Sequence, residues 1–467
     1  MSGRKVVSQT VEAATVAALT HAGEGVIRDG KTVFVPGALP GENIKFRRTR
    51  THRQHDEAVL VEVLTAAPER VVPRCPHFGV CGGCALQHMS PEAQLEARQT
   101  ELQDNLERLG KVTPQTWLPP LLGPVWGYRR RARLGAKFVT KKGKVVVGFR
   151  ERLAPYIADV QHCDVLTPPV GDLITPLAEL IMTLGIRERV PQIEVAVADN
   201  AVALVFRVLD PPSPDDLERL RAFRAAHGLR IYLQSGGLDS VHELDTLGEP
   251  LRYQLPKFKV ELEFLPTDFI QINGAVNEAL VSRAVELLEL TPSAEVLDLF
   301  CGIGNFTLPM ARLAKRVVGV EGDAALVARA RHNAQRNQLE NTEFHVADLA
   351  RLPGSTAAIR PNSRAAPTPA NGAIVNAPWL RKGYTHVVLD PPRAGALEVL
   401  ASVVSLEPQR VLYISCHPGS LARDLGVLVN EHGFTLEAAG VLDMFPHTAH
   451  FESLALLSPG KRKARAS

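Results

Sequence analysis

Aromatic residues are scarce in this 467-residue chain, at 5%, and sulfur is scarcer still, with six cysteines and five methionines. The shortage of rings excludes a core of stacked aromatics and leaves alanine, valine and leucine to fill it. At 45% hydrophobic residues the chain still has enough apolar surface to bury. No run approaches the roughly 18–20 apolar residues of a membrane-crossing helix. The opening MSGRKVVSQT has no apolar stretch, so a secretory leader is not expected either, and the expected location is the cytoplasm. In a reducing compartment disulfides are not expected, and grouped cysteines read as metal-binding or catalytic. Neither sign of charge dominates: 53 Lys and Arg face 50 Asp and Glu, a net charge of +3. No internal repeat is present.

What is there is unevenly placed. KFRRTRTHR (45–53) holds five cations and a histidine, YRRRAR (128–133) holds four cations, and the chain ends in KRKARAS. Three such runs in a nearly neutral chain favour a polyanionic partner. The length predicts two to three domains at roughly 100–200 residues each. Residues 1–66 carry short strand-like runs (VEAATVAAL, KTVFV, NIKFRR, EAVLVEVL) punctuated by glycine turns, the pattern of a small oligonucleotide-binding-type barrel. Residues 67–265 form a central, strand-rich segment. Within it Ser90-Pro91 opens a helix whose apolar stripe runs Leu95, Leu102, Leu106, Leu109 and which Gly110 stops, and KFVTKKGKVVVGFRE predicts a hairpin. From 266 to 459 apolar strands alternate with amphipathic helices, which predicts a doubly wound parallel sheet and an α/β fold. Residues 460–467 are a basic tail. The stretch 353–378 has the composition of an insertion without packed structure.

Three motifs end strands of the predicted parallel sheet, where ligands of such folds bind. DLFCGIGNFT (298–307) runs a strand into a Gly-x-Gly turn, and Glu321 ends the next strand 23 residues after Asp298, suited to the hydroxyls of a ribose. The third glycine of the dinucleotide fingerprint is missing from GIGNFT, which disfavours NAD; the pattern is similar to class I S-adenosylmethionine methyltransferases. LDPPR puts Asp390 before a stiff Pro-Pro turn, with Arg393 where amino-methyltransferases of this fold carry an aromatic residue. YISC puts Cys416 at the end of the fifth strand. A thiolate there has a use: uracil C5 is a weak carbon nucleophile, and addition of sulfur to C6 makes an enolate whose C5 accepts a methyl group. A base must then remove the C5 proton. In FPHTAHFES, Glu452 between apolar residues suits that task, with His447 and His450 as alternatives.

The remaining cysteines form C-x5-C-x2-C at Cys75, Cys81 and Cys84, with Cys163 after a gap of 78 residues. Four thiolates hold either zinc or an iron–sulfur cluster. A zinc ribbon pairs two C-x2-C units and the second is missing, so the three-plus-one spacing favours a closed cluster.

Taken together, C-x5-C-x2-C, FIQIN, DLFCGIGNFTLP, VGVEG, LDPPRAG, YISCHP and MFPHTAHFES resemble, over nearly the whole chain, the bacterial 23S rRNA (uracil-C5)-methyltransferases, and within them those acting at uridine 1939. The resemblance implies an N-terminal TRAM domain, a class I Rossmann-like methyltransferase domain and a central iron–sulfur domain. It implies Cys416 as nucleophile and Glu452 as base. It implies S-adenosyl-L-methionine held by Gln271, Phe300, Asn305, Glu321, Asp348 and Asp390, and a [4Fe-4S] cluster on Cys75, Cys81, Cys84 and Cys163. The implied partner is 23S rRNA, bound by a monomer with no obligate protein partner and with the basic runs on phosphates. The chain departs from the family pattern in having DPPR for DPAR, CHP for CNP, and Asp348 where a relative has Asn. Two other readings belong beside this one: a tRNA uracil-C5 methyltransferase, whose relatives lack the TRAM domain and the cluster, and a non-catalytic RNA-binding iron–sulfur protein.

Overall fold

The computed structural model describes residues 4–5, 10–245, 249–350 and 377–460. The predicted insertion therefore lies outside the described residues from 353 to 376, and so does the basic tail from 461. Among the described residues no helix is long and apolar enough to cross a membrane.

The first layer of structure is a curled, seven-stranded sheet between Arg4 and Thr65. Its long strands, Asn43–Thr51 and His55–Thr65, are an antiparallel hairpin. Strand alternation turns Val33, Val35, Ile44, Phe46 and Ala58 inward to form its core. The second unit is a six-stranded sheet from Arg131 to Glu243. The predicted hairpin is there as Arg131–Val139 paired with Lys144–Gly148. A crossover helix, Pro214–His227, with a full capping box at Ser213 and Asp216, joins two parallel strands.

The third unit carries the alternating segment. Its strands are β1 (Glu295–Leu299), β2 (Arg316–Glu321), β3 (Thr342–Val346), β4 (His386–Leu389), β5 (Arg410–Ser415), β6 (Phe434–Leu442) and β7 (Glu452–Pro459). They lie in the order β3-β2-β1-β4-β5-β7-β6. The first five are parallel, and β7 runs antiparallel to both β5 and β6. The sequence shows why: β1, β2, β4 and β5 are nearly unbroken apolar runs, as strands covered on both faces require.

Part of the chain before 266 packs onto this sheet. Thr116–Trp117 adds an edge strand beside β6, and the helix Pro91–Asn105 packs Leu102 and Leu106 into the same core as β1, β4 and β5. This part of the central segment is thus built onto the methyltransferase-type sheet. Ser90 caps the helix as its sequence predicts, accepting from Ala93 N at 3.3 Å. Its apolar stripe does not extend to Leu109, which is 62% exposed. The final turn, Leu106–Gly110, is a π-turn, whose wider winding swings Leu109 out of register. Gly110 is also more than a stop signal. A Cβ there would sit 2.6 Å from Ala422 O, so glycine is what lets this turn touch the helix Pro418–Gly426.

Candidate active site

Every parallel strand ends at the same edge of the sheet, and β7, being antiparallel, begins there. This places Asp390 just past β4, Cys416 just past β5 and Glu452 at the first position of β7. The register is specific: Ile414 faces Leu454 and Ser415 faces Ser453. Cys416 follows Ser415 and Glu452 precedes Ser453, so both stand at this end of the β5–β7 pair.

A cleft of about 610 Å³ opens at this edge, lined by Cys416 and Glu452 together with Gln271, Phe300, Asn305, Glu321, Asp348 and Asp390. All eight residues singled out from the sequence as catalytic or cofactor-binding therefore meet in one space. His447 and His450, the alternative bases, do not line it. The Gly-x-Gly turn forms its floor: Gly302 and Gly304 have φ of +53° and +98°, and Phe300 takes +65° despite its side chain. Glu321 is fixed by three main-chain donors: Gly302 N to Oε2 at 3.1 Å, and Gly322 N and Asp323 N to Oε1 at 2.7 and 3.1 Å. Asn305 is different. Its amide is engaged by Asn277 in a reciprocal pair (3.0 and 2.9 Å), and its Oδ1 also accepts from the Tyr253 hydroxyl at 2.9 Å. Its side chain thus holds the turn in place. His417 caps the helix that follows Cys416, with Nδ1 accepting from Ser420 N at 3.1 Å.

Burial dominates the electrostatics. Asp298, fully buried, has a carboxyl pushed up to about 7, although the Thr307 hydroxyl donates to it at 2.5 Å. Asp390 and Glu452 lie in each other's field away from water, and both are pushed upward, Glu452 well above the usual carboxylate range. Glu452 Oε2 has no hydrogen-bond partner among the described residues. Burial, then Glu452 and Asp390, push the Cys416 thiol up to about 11, with Arg393 opposing them. The cleft thus holds a thiol beside two buried carboxyls, and burial disfavours the charged form of all three.

A family model described as tRNA (Uracil-5-)-methyltransferase matches residues 198–459, the segment that carries this cleft. The chain belongs to this uracil-5-methyltransferase family. Among its relatives, the 23S rRNA (uracil(1939)-C(5))-methyltransferase RlmD of Xanthomonas euvesicatoria pv. vesicatoria (strain 85-10) is 50% identical over 442 residues, 94% of this chain and 95% of that protein. The protein of the same name from Stenotrophomonas maltophilia (strain R551-3) is 49% identical over the same shares. The crystal structure of Pyrococcus abyssi tRNA (uracil-54, C5)-methyltransferase in complex with S-adenosyl-L-homocysteine has the same fold. Its TM-score is 0.69 at 24% identity, over 96% of this chain and 100% of that one.

This uracil-5-methyltransferase has a second constellation away from the cleft. Cys75, Cys81, Cys84 and Cys163 line one small cavity walled by Phe78, Phe149 and Val160. Burial and the neighbouring thiols push Cys81 up to about 11 and Cys84 up to about 12, so these sulfurs become thiolates only against a strong positive charge. Among the described residues the one group of three ligating side chains within 4.8 Å is His52, His55 and Glu57. No three of the four sulfurs come that close. A single tetrahedral zinc with bonds of about 2.3 Å needs sulfurs roughly 3.8 Å apart.

Several cations of the basic runs have partners within the chain. Arg130 pairs with Asp199 at 2.9 Å, Arg131 donates to Pro266 O, and Arg133 pairs with Glu194 at 2.9 Å. Arg48 is held by Glu12 and Asp56, and Lys45 by Glu62. An exposed pair contributes only about 0–1 kcal/mol. Arg133, whose side chain is 70% exposed, is therefore exchangeable for a phosphate, whereas Arg131, at 17%, is a structural residue. Sequence reading also missed Phe269, a 70% exposed ring at the cleft. In a chain this poor in aromatics, a phenylalanine two residues before Gln271 is the signal that would have found it.

Proposed function

We propose that this protein methylates C5 of a uridine in 23S rRNA, at a 1939-type site, with Cys416 as nucleophile, Glu452 as base and S-adenosyl-L-methionine as methyl donor. The observation that carries the reading is that Cys416 and Glu452 line one cleft, at the end where β5 stops and β7 begins. The rRNA substrate is supported by near-full-length relatives of that name at 50% identity. The tRNA enzyme of the same fold stands at 24%.

The chemistry follows from the two groups. Sulfur of Cys416 bonds to C6, the C5–C6 π pair moves toward C5 and O4, and the thiol proton leaves to solvent in the open cleft, which leaves Glu452 free for the C5 proton. S-adenosyl-L-methionine supplies an electrophilic methyl group, and a bound sulfonium lowers the cost of a second negative charge on the Asp390–Glu452 pair. Glu452 then takes the C5 proton, the C–H pair re-forms the double bond, and sulfur leaves as thiolate. Glu321 and Asp348 suit the nucleoside part of the cofactor, and Gln271, Phe300 and the main chain at Asn305 its remaining surface. A target inside folded RNA must be flipped out to reach this depth, where Phe269 offers a ring for stacking. Ribosomal RNA from a strain lacking this gene should lose one 5-methyluridine from the large subunit, as mapped by mass spectrometry. An unchanged map would refute the function.

We assign the curled N-terminal sheet as a TRAM domain. The four cysteines fit a [4Fe-4S] cluster better than a zinc ion on the spacing of their sulfurs. Bound there, the cluster would supply the positive charge that makes the buried sulfurs thiolates. A Cys81→Ala protein should lose iron and melting temperature together. Iron-free protein of unchanged stability and activity would show the cluster to be dispensable.

A further inference from the structure

The loop that delivers Glu452, residues 443–451, is held by segments from far away in the chain. Arg98, 3% exposed, spreads its guanidinium over three of its groups: the Asp443 carboxylate, Phe445 O at 3.1 Å and Thr448 O at 3.1 Å. Gln94, 1% exposed, sits one helical turn earlier. Its Oε1 accepts from His447 N at 2.9 Å, and its Nε2 donates to Met89 O at 2.8 Å and Leu86 O at 3.1 Å. The carbonyl of His447 in turn accepts from Ala85 N at 2.8 Å and Leu86 N at 3.0 Å, the two residues that follow Cys84. His447 itself is held at φ +65°, a conformation a non-glycine residue keeps only when its surroundings fix it. Its ring stacks on Trp126 at 4.0 Å. The Tyr128 hydroxyl closes the set on Pro446 O at 2.8 Å.

We propose that Gln94 and Arg98 are positioning residues for proton abstraction: they lock the 443–451 loop onto the segment that follows Cys84 and so fix the aim of Glu452. The inference rests on the role given to Glu452 above. Arg98 and Gln94 touch neither the cleft nor each other's acceptors, so their effect on the reaction passes through the loop. Cys416, just past β5, is outside the clamp. Loosening the clamp therefore slows the step that needs Glu452 and spares the step that needs Cys416.

The test is single-turnover reaction of the iron-loaded full-length protein with a 23S rRNA fragment and S-adenosyl-L-methionine. Formation and decay of the covalent protein–RNA adduct are followed on denaturing gels. Gln94→Leu should form the adduct within about threefold of the wild-type rate but release product at least tenfold more slowly, so that methylated adduct accumulates. Arg98→Lys, which keeps the charge but not the three-point fork, should slow release by a smaller factor. Its behaviour decides the matter if Gln94→Leu proves unfolded by melting or fails to bind S-adenosyl-L-homocysteine. Release at the wild-type rate, or formation and release falling together, would overturn the clamp. If Glu452→Gln accumulates adduct and the clamp variants do not, the clamp alone is wrong. If wild-type protein and Glu452→Gln form none, the catalytic assignment fails with it.

Discussion

Cys416→Ala is expected to lose 5-methyluridine formation by roughly 10⁴-fold or more, with affinity for S-adenosyl-L-homocysteine kept within about twofold. The size follows from the role. Without sulfur at C6 no electron pair is delivered to C5, and nothing else in the cleft can replace it. Cys301 also lines the cleft, but it is 5% exposed, tucked under the Gly-x-Gly turn, and burial pushes its thiol far up. Retained binding follows because Cys416 lies just past β5, whereas Glu321 and the glycine turn belong to β1 and β2. The measurement is mass-spectrometric quantification of 5-methyluridine in a 23S fragment, with calorimetry for the ligand. Substantial product from Cys416→Ala would remove the covalent route altogether.

Glu452→Gln should give a different failure. Cys416 still adds and C5 still receives its methyl group, but the C5 proton stays. Turnover should fall by roughly 10²–10⁴-fold, the usual worth of a general base, while a methylated covalent adduct builds up toward one per enzyme. Glutamine keeps the volume and the strand pairing of Glu452 with Leu442, so misfolding would not explain the result. It also removes one member of the buried carboxyl pair, which relieves the upward push on Cys416 and works against any slowing of the first step.

The parts of the site that could be read in the sequence are those that a local rule creates. A strand buried on both faces is an apolar run that stops at a polar residue, so Asp390 and Cys416 announced themselves, as did the turn at Gly302 and Gly304. Glu452 did not. Its importance depends on β7 reversing direction, and on a bulge between Leu436 and Ala438 that sets the β6–β7 register. No local pattern encodes either. The clamp is equally hidden, since Arg98 and Asp443 are 345 positions apart. The ion pairs of the basic runs are hidden for a related reason: charges are visible in a sequence, but their partners are not, and Glu194 lies on another strand and Asp199 in the turn after it. At Asn305 the motif gave the right location and the structure gave a different use, because Tyr253 and Asn277 already occupy its amide.

The central claim is that two side chains at one end of an antiparallel strand pair divide one reaction, with Cys416 opening it and Glu452 closing it. Peptide mass mapping of the adduct trapped by Glu452→Gln tests this most directly. The account predicts a single modified peptide, the one containing Cys416, carrying a uridine nucleotide whose base bears one added methyl group. An adduct on another residue, an adduct without the methyl group, or free 5-methyluridine released at the wild-type rate would contradict it.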